Sequence, residues 1–140
     1  MILAHLNYLA VLACTVIDFF IGAMWFSMLF GKPWMEGHGI SMPTDEEKKA
    51  AMKKEMPKYM LMSFLFSLIA VLAIDYIETA MFAHTWMTGV KVGIMAGAFV
   101  VVAMGQSHMY LRKTFKLFLI DAGYHVVSLI IIGVVLAVWH

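Results

Sequence analysis

The chain has 140 residues, 63% of them hydrophobic and only 14% charged, with a formal net charge of +1. Ordinary soluble domains carry about 45–50% apolar residues, so a water-soluble globular domain is excluded and a membrane protein is expected. Four apolar windows, 6–30, 59–80, 88–110 and 115–139, each reach the ~20 residues that a helix needs to cross the hydrocarbon. None alternates polar with apolar residues as the strands of a membrane barrel do. The expected fold is an all-α membrane protein, a four-helix transmembrane bundle forming one domain over 1–140.

The first window opens with "MILAHLNYLA", which has no Lys or Arg and so lacks the basic flank of a cleaved leader. Cys14 is the single cysteine and cannot form an internal disulfide; in mid-helix it reads as a small buried apolar residue. Asp18 stands near the middle of the helix, about 18 Å from either end. A carboxyl group at that depth is costly enough to mark a helix contact or a site. The window closes on "AMWFSMLFGKPWM". Trp25 falls inside the membrane, Gly31 ends the helix, Lys32 reaches the headgroups, Pro33 prevents continuation and Trp34 sits at the interface. On residue types alone this stretch is an interfacial anchor.

Segment 36–57 has room for structure outside the bilayer. Thr44 followed by Glu47 has capping-box spacing, which predicts a short amphipathic helix over 45–56. On it Asp45 and Lys49 pair one turn apart, and Met52 and Met56 share a face against the headgroups. Its lysines face water or anionic lipid, and nucleic acid is not an expected partner. Pro57 then starts the second transmembrane helix, where its missing N–H costs nothing.

Asp75 and Glu78 near the end of the second window approach Lys91 of the third across a short connection, and Lys91 is expected to neutralise one of them. In the third window Gly89, Gly93 and Gly97 recur every four residues, making a groove for close approach by a helix of the same chain or of a neighbouring copy. Ser63 with Ser67, and Gly133 with Ala137, repeat the spacing more weakly.

The fourth window carries Asp121, His125 and Ser128 on one stripe, with Gln106 of the third helix near the level of Asp121. His125 falls at nearly the depth of Asp18, and the two are expected to pair. Such a pair can relay protons or act as a polar clasp that fixes helix packing. His5, His84 and His140 share one side of the membrane, but no HExxH or CxxC spacing accompanies them, and His108 and His125 are staggered for haem. No metal and no cofactor is expected. The fourteen methionines are scattered and read as packing residues.

"WFSMLFGKPWM" also resembles the W-Y-S-P-x-x-F-G-K-x-W-M signature of the bacterial membrane family called domain of unknown function 1761, and "KLFLIDAGYHVVSL" is similar to that family's closing helix, K-L-F-L-I-N-A-G-Y-x-L-V-S-L. Order, spacing and length agree over the whole chain. Phe26 stands where the pattern has Tyr, Met28 where it has Pro and Asp121 where it has Asn. The resemblance implies four transmembrane helices in a bacterial inner membrane and supplies no catalytic residues.

Lys32, Lys48, Lys49, Lys53, Lys54, Lys58, Arg112, Lys113 and Lys116 all lie in the two loops that share one side, which leaves only Lys91 on the other. By the positive-inside rule both loops are cytoplasmic and both termini are outside. Beyond the lipid bilayer itself, the small size of the bundle favours self-association or association with other membrane subunits. Two functions fit: an oligomer that moves protons or cations past its buried acids, or a non-catalytic accessory or assembly subunit of a larger membrane complex. Without a nucleophile–base pair or a nucleotide motif, an enzyme is not expected.

Overall fold

The structure, a computed structural model, describes residues 5–139. It comprises α1 (Tyr8–Met24), α2 (Gly31–Gly37), α3 (Glu46–Met81), α4 (Trp86–Tyr110) and α5 (Phe115–Trp139), with a π-helical turn at Trp25–Leu29 that prolongs α1. Four stretches, Tyr8–Leu29, Glu46–Met81, Trp86–Tyr110 and Phe115–Trp139, are long and apolar enough to span a membrane. The protein is a four-helix transmembrane bundle. Phe20, Phe66 and Phe99 point outward, the arrangement that lipid favours and water does not.

Successive long helices alternate in direction, so Asn7 and Trp139 lie at one end of the bundle. There the Asn7 side chain caps α1 by accepting from Ala10 N (3.1 Å) and donates through Nδ2 to the Trp139 carbonyl (3.0 Å). The opposite, basic end holds α2 and the cationic loops. α5 touches each of the other four helices, and the core of Val11, Cys14, Val71, Ile74, Val92, Ile132 and Leu136 is built around the half of it that ends at Trp139.

The glycine groove of α4 faces α5 of the same chain. A Cβ on Gly93 would stand 2.6 Å from Ile130 Cα, one on Gly97 would stand 3.4 Å from Val126 Cγ2, and one on Gly89 would strike the backbone of Gly133. Only residues without side chains let the two backbones come this close.

Three local expectations are corrected. The short amphipathic helix over 45–56 is not separate: it is the beginning of a single 36-residue α3 that runs through Pro57. At about 1.5 Å per residue α3 is about 54 Å long, against ~30 Å of hydrocarbon, so its first turns project from the basic end. Ala, Glu, Lys and Met on both sides of Pro57 are strong helix formers, and they outweigh the one bond to Lys53 that proline cannot make. The cap of α3 is Asp45, whose carboxylate accepts from Glu47 N (3.1 Å), and Lys49 pairs with Glu46 (2.8 Å) instead of Asp45. Pro33 does not stop helix formation either. It lies in the first turn of α2, where a backbone N–H has no helical partner to lose.

Candidate functional site

Ionisable groups lie inside the bundle at three levels along α5. The level nearest the basic end is built by the junction of α1 and α2. The Phe30 N–H reaches back five residues to the Trp25 carbonyl (2.9 Å), which makes the π turn. One extra residue in the turn rotates the chain so that Trp25, Phe26 and Trp34 can all face α5; π turns of this kind recur at functional sites. Gly31 follows because a Cβ there would stand 2.9 Å from the Phe26 carbonyl. Trp25 Nε1 donates to the Ile120 carbonyl (3.0 Å) and Trp34 Nε1 donates to Asp121 Oδ1 (2.7 Å). The other carboxylate oxygen, Oδ2, lies 3.0 Å from His108 Nε2 of α4 and 3.3 Å from His38 Nε2 at the end of α2. Asp121 thus joins α2, α4 and α5.

The middle level is Asp18. Its Oδ1 accepts from the Tyr124 hydroxyl (3.0 Å) and the Ser128 hydroxyl, and its Oδ2 accepts from the Ser67 hydroxyl. One buried carboxylate therefore ties α1, α3 and α5 together through three O–H donors. Aromatic contacts connect this level to the first. The Phe26 ring lies 5.3 Å from Trp34 and 5.1 Å from Tyr124, and Tyr124 lies 4.8 Å from His125.

The third level lies toward the terminal end. Asp75 and Glu78 of α3 are fully buried, as is Cys14 of α1. Neither oxygen of the Glu78 carboxyl has a hydrogen-bond partner among the described residues. Glu78 Oε1 stands beside Gly133, 3.3 Å from where a Cβ would be. Along α5, Asp121 to Ser128 is about 10 Å and Ser128 to Gly133 about 8 Å at 1.5 Å per residue.

Several expected groupings are rearranged. Asp18 and Ser128 do meet, but His125 makes no hydrogen bond to Asp18 among the described residues; Tyr124, one residue earlier, takes that place because it points toward α1. Gln106 is exposed, and His108, two residues further along α4, is the group that reaches Asp121. Lys91 is exposed and forms no ion pair with Asp75 or Glu78 among the described residues, since it lies on the outer side of α4. Of the interfacial anchor, Lys32 is exposed, whereas Trp25, Gly31 and Trp34 face inward and build the site. His140 lies outside the described residues, and among those described no three His, Cys, Asp or Glu side chains stand close enough to hold a metal ion.

His38, Ser67, His108 and Tyr124 were not selected as site residues from the sequence. Tyr124 and His108 had a signal, since each stands in register with a polar residue on a neighbouring helix. His38 had none, because its reach depends on the π turn and on the fold-back of α2.

These features define a polytopic membrane protein whose central helix collects buried acids from its neighbours, with its two most distinctive sequence blocks joined face to face by Trp25–Ile120, Trp34–Asp121 and Phe26–Tyr124. The chain belongs to the family described as Protein of unknown function (DUF1761), whose model matches residues 9–137. No curated protein and no solved structure matches it.

Proposed function

We propose that this protein moves protons or small cations across its membrane along the acids gathered around α5. The observation that supports the reading is the succession Asp121, Asp18 and Asp75/Glu78. These buried carboxyl groups, from α5, α1 and α3, stand at successive levels about 8–10 Å apart alongside α5, with His125 and Tyr124 between the first two. Burying even one unpaired carboxylate in a low-dielectric interior costs several kcal/mol. A carboxyl group such as Glu78 therefore holds a proton or receives a cation, and a series of such groups is the usual material of an intramembrane ion path.

As parts of the same proposal, the working unit is an assembly of copies in a bacterial inner membrane, the basic end faces the cytoplasm and both termini face outward. The uneven distribution of Lys and Arg supports the orientation. A second reading, an accessory or assembly subunit of a larger membrane complex, draws on Asp18, whose carboxylate is fully occupied in clasping three helices.

The test is flux in liposomes reconstituted with the purified protein under imposed proton, sodium and potassium gradients. The proposal expects flux in the wild type and its loss in Asp18→Asn, which preserves shape but cannot exchange a proton. Flux no greater than in empty liposomes under every gradient leaves the subunit reading in its place.

A further inference from the structure

The hydrogens available around Asp121 do not complete its contacts unless the site binds one more. His108 Nδ1 lies 2.9 Å from the Met104 carbonyl oxygen, which can only accept, so Nδ1 carries a hydrogen. A neutral imidazole with its hydrogen on Nδ1 presents a lone pair at Nε2. That nitrogen is 3.0 Å from Asp121 Oδ2, and a lone pair against a carboxylate oxygen repels. The contact needs a hydrogen on Nε2 or on Oδ2.

We infer that Asp121 and His108 bind one exchangeable proton between them, in a site completed by Trp34 and His38 of α2. With the proton present, every contact is satisfied: Trp34 donates to Oδ1, His38 donates to Oδ2 from Nε2, and the shared proton bridges Oδ2 and His108. The cluster is then neutral, which suits side chains of Asp121 and His108 that are only 10% and 13% exposed. Without the proton the cluster carries one negative charge, the His108 contact turns repulsive and Asp121 is held by α2 alone. Of the further titratable groups on α5, His125 lies on the next turn and faces the charges of both Asp121 and Asp18, and the Tyr124 hydroxyl is engaged by Asp18. Proton binding thus links α2 to α4 through α5.

An Asn at position 121 would offer its carbonyl to Trp34 and its own N–H to His108 Nε2, and so would supply covalently the hydrogen that Asp121 has to bind.

This inference rests on the hydrogen bonds alone and stands or falls separately from ion flux. Its test is NMR of the intact protein in micelles with isotope-labelled histidine nitrogens, with His108 assigned by its loss in His108→Gln. As pH rises through the range in which the protein stays folded, His108 should keep Nδ1–H while Nε2 passes in one step from hydrogen-bonded to bare. In Asp121→Asn that step should vanish, with Nε2 hydrogen-bonded throughout. Trp34→Phe leaves both proton-sharing atoms in place, and there the step should persist at a shifted pH, which keeps the test available if Asp121→Asn does not fold. A His108 that carries its hydrogen on Nε2 and leaves Nδ1 bare, a wild type without a step, or a step indifferent to both substitutions overturns the proposal.

Discussion

Gly93→Ala adds one methyl group in the middle of the glycine groove where α4 meets α5. The new Cβ would stand 2.6 Å from both Ile130 Cα and the Leu129 carbonyl oxygen, whereas ordinary contacts there begin at about 3.4 Å. Both atoms belong to the backbone of a long helix and cannot turn aside, so α4 and α5 must separate by close to 1 Å. A gap of that size forfeits about a quarter to a half of the dispersion energy of each facing atom pair, and forced overpacking costs about 1–3 kcal/mol. Since the strain falls on backbone, the upper half of that range applies, and Gly93→Ala should destabilise the bundle by about 2–3 kcal/mol. Gly105→Ala is the matched control. It lies on the same helix, yet its Cβ would meet Phe118 Cε2 at 3.6 Å, an ordinary contact, and it should change stability by less than about 1 kcal/mol. The assay is equilibrium unfolding in mixed micelles, followed by helical signal, on both variants. Equal stability of Gly93→Ala and Gly105→Ala would refute the packing account.

Four other predictions concern the buried polar groups and the orientation. Trp34→Phe removes a 2.7 Å hydrogen bond to a carboxylate and should cost about 1.5–3 kcal/mol, with protease cleavage near α2 rising in parallel; unchanged cleavage contradicts the role given to Trp34. Asp18→Ala deprives Ser67, Tyr124 and Ser128 of one common acceptor and should lower thermal stability more than Asp18→Asn, whose oxygen can still accept from Tyr124 and Ser128 while its N–H donates to the Ser67 hydroxyl; the opposite order contradicts the clasp. Glu78→Met replaces a fully buried carboxyl that has no hydrogen-bond partner among the described residues, and should raise stability by about 1–3 kcal/mol while abolishing any flux; a loss of stability means that Glu78 has a partner in the membrane. A cysteine at Lys49, with Cys14 replaced by Ala, should react with a membrane-impermeant reagent only after the membrane is opened, and labelling in intact cells reverses the orientation.

The spans were legible in the sequence because bilayer thickness dictates their length, and the fourth window, 115–139, matches α5 end to end. The Gly89–Gly93–Gly97 spacing was legible as a close contact for the same kind of reason: the repeat fixes a face. Its partner was not, since Gly133 lies more than forty residues away in sequence and small residues alone do not choose between helices. The cap at Asp45 and the continuation through Pro57 escaped because helix-forming neighbours override a local stop signal. The site was half legible. Depth alone marked Asp18 and Asp121 as costly. Which side chains answer them depends on rotation about each helix, and a shift of one residue exchanges His125 for Tyr124 at Asp18. The π turn at Trp25–Leu29 was invisible, and with it the inward turn of Trp34 and the arrival of His38.

The central claim is that the buried acids ranged alongside α5 form a route for protons or small cations, and its most direct measurement is the initial rate of internal pH change in liposomes containing wild-type protein or Glu78→Gln, under an imposed potential and pH gradient. Glu78→Gln keeps the length and shape of the side chain and removes only the capacity to bind and release a proton or to neutralise a cation. The account predicts a rate in the wild type that scales with the amount of protein and falls to that of empty liposomes in Glu78→Gln, with both proteins equally folded. Equal rates in the two, or a wild-type rate no higher than that of empty liposomes, would contradict it.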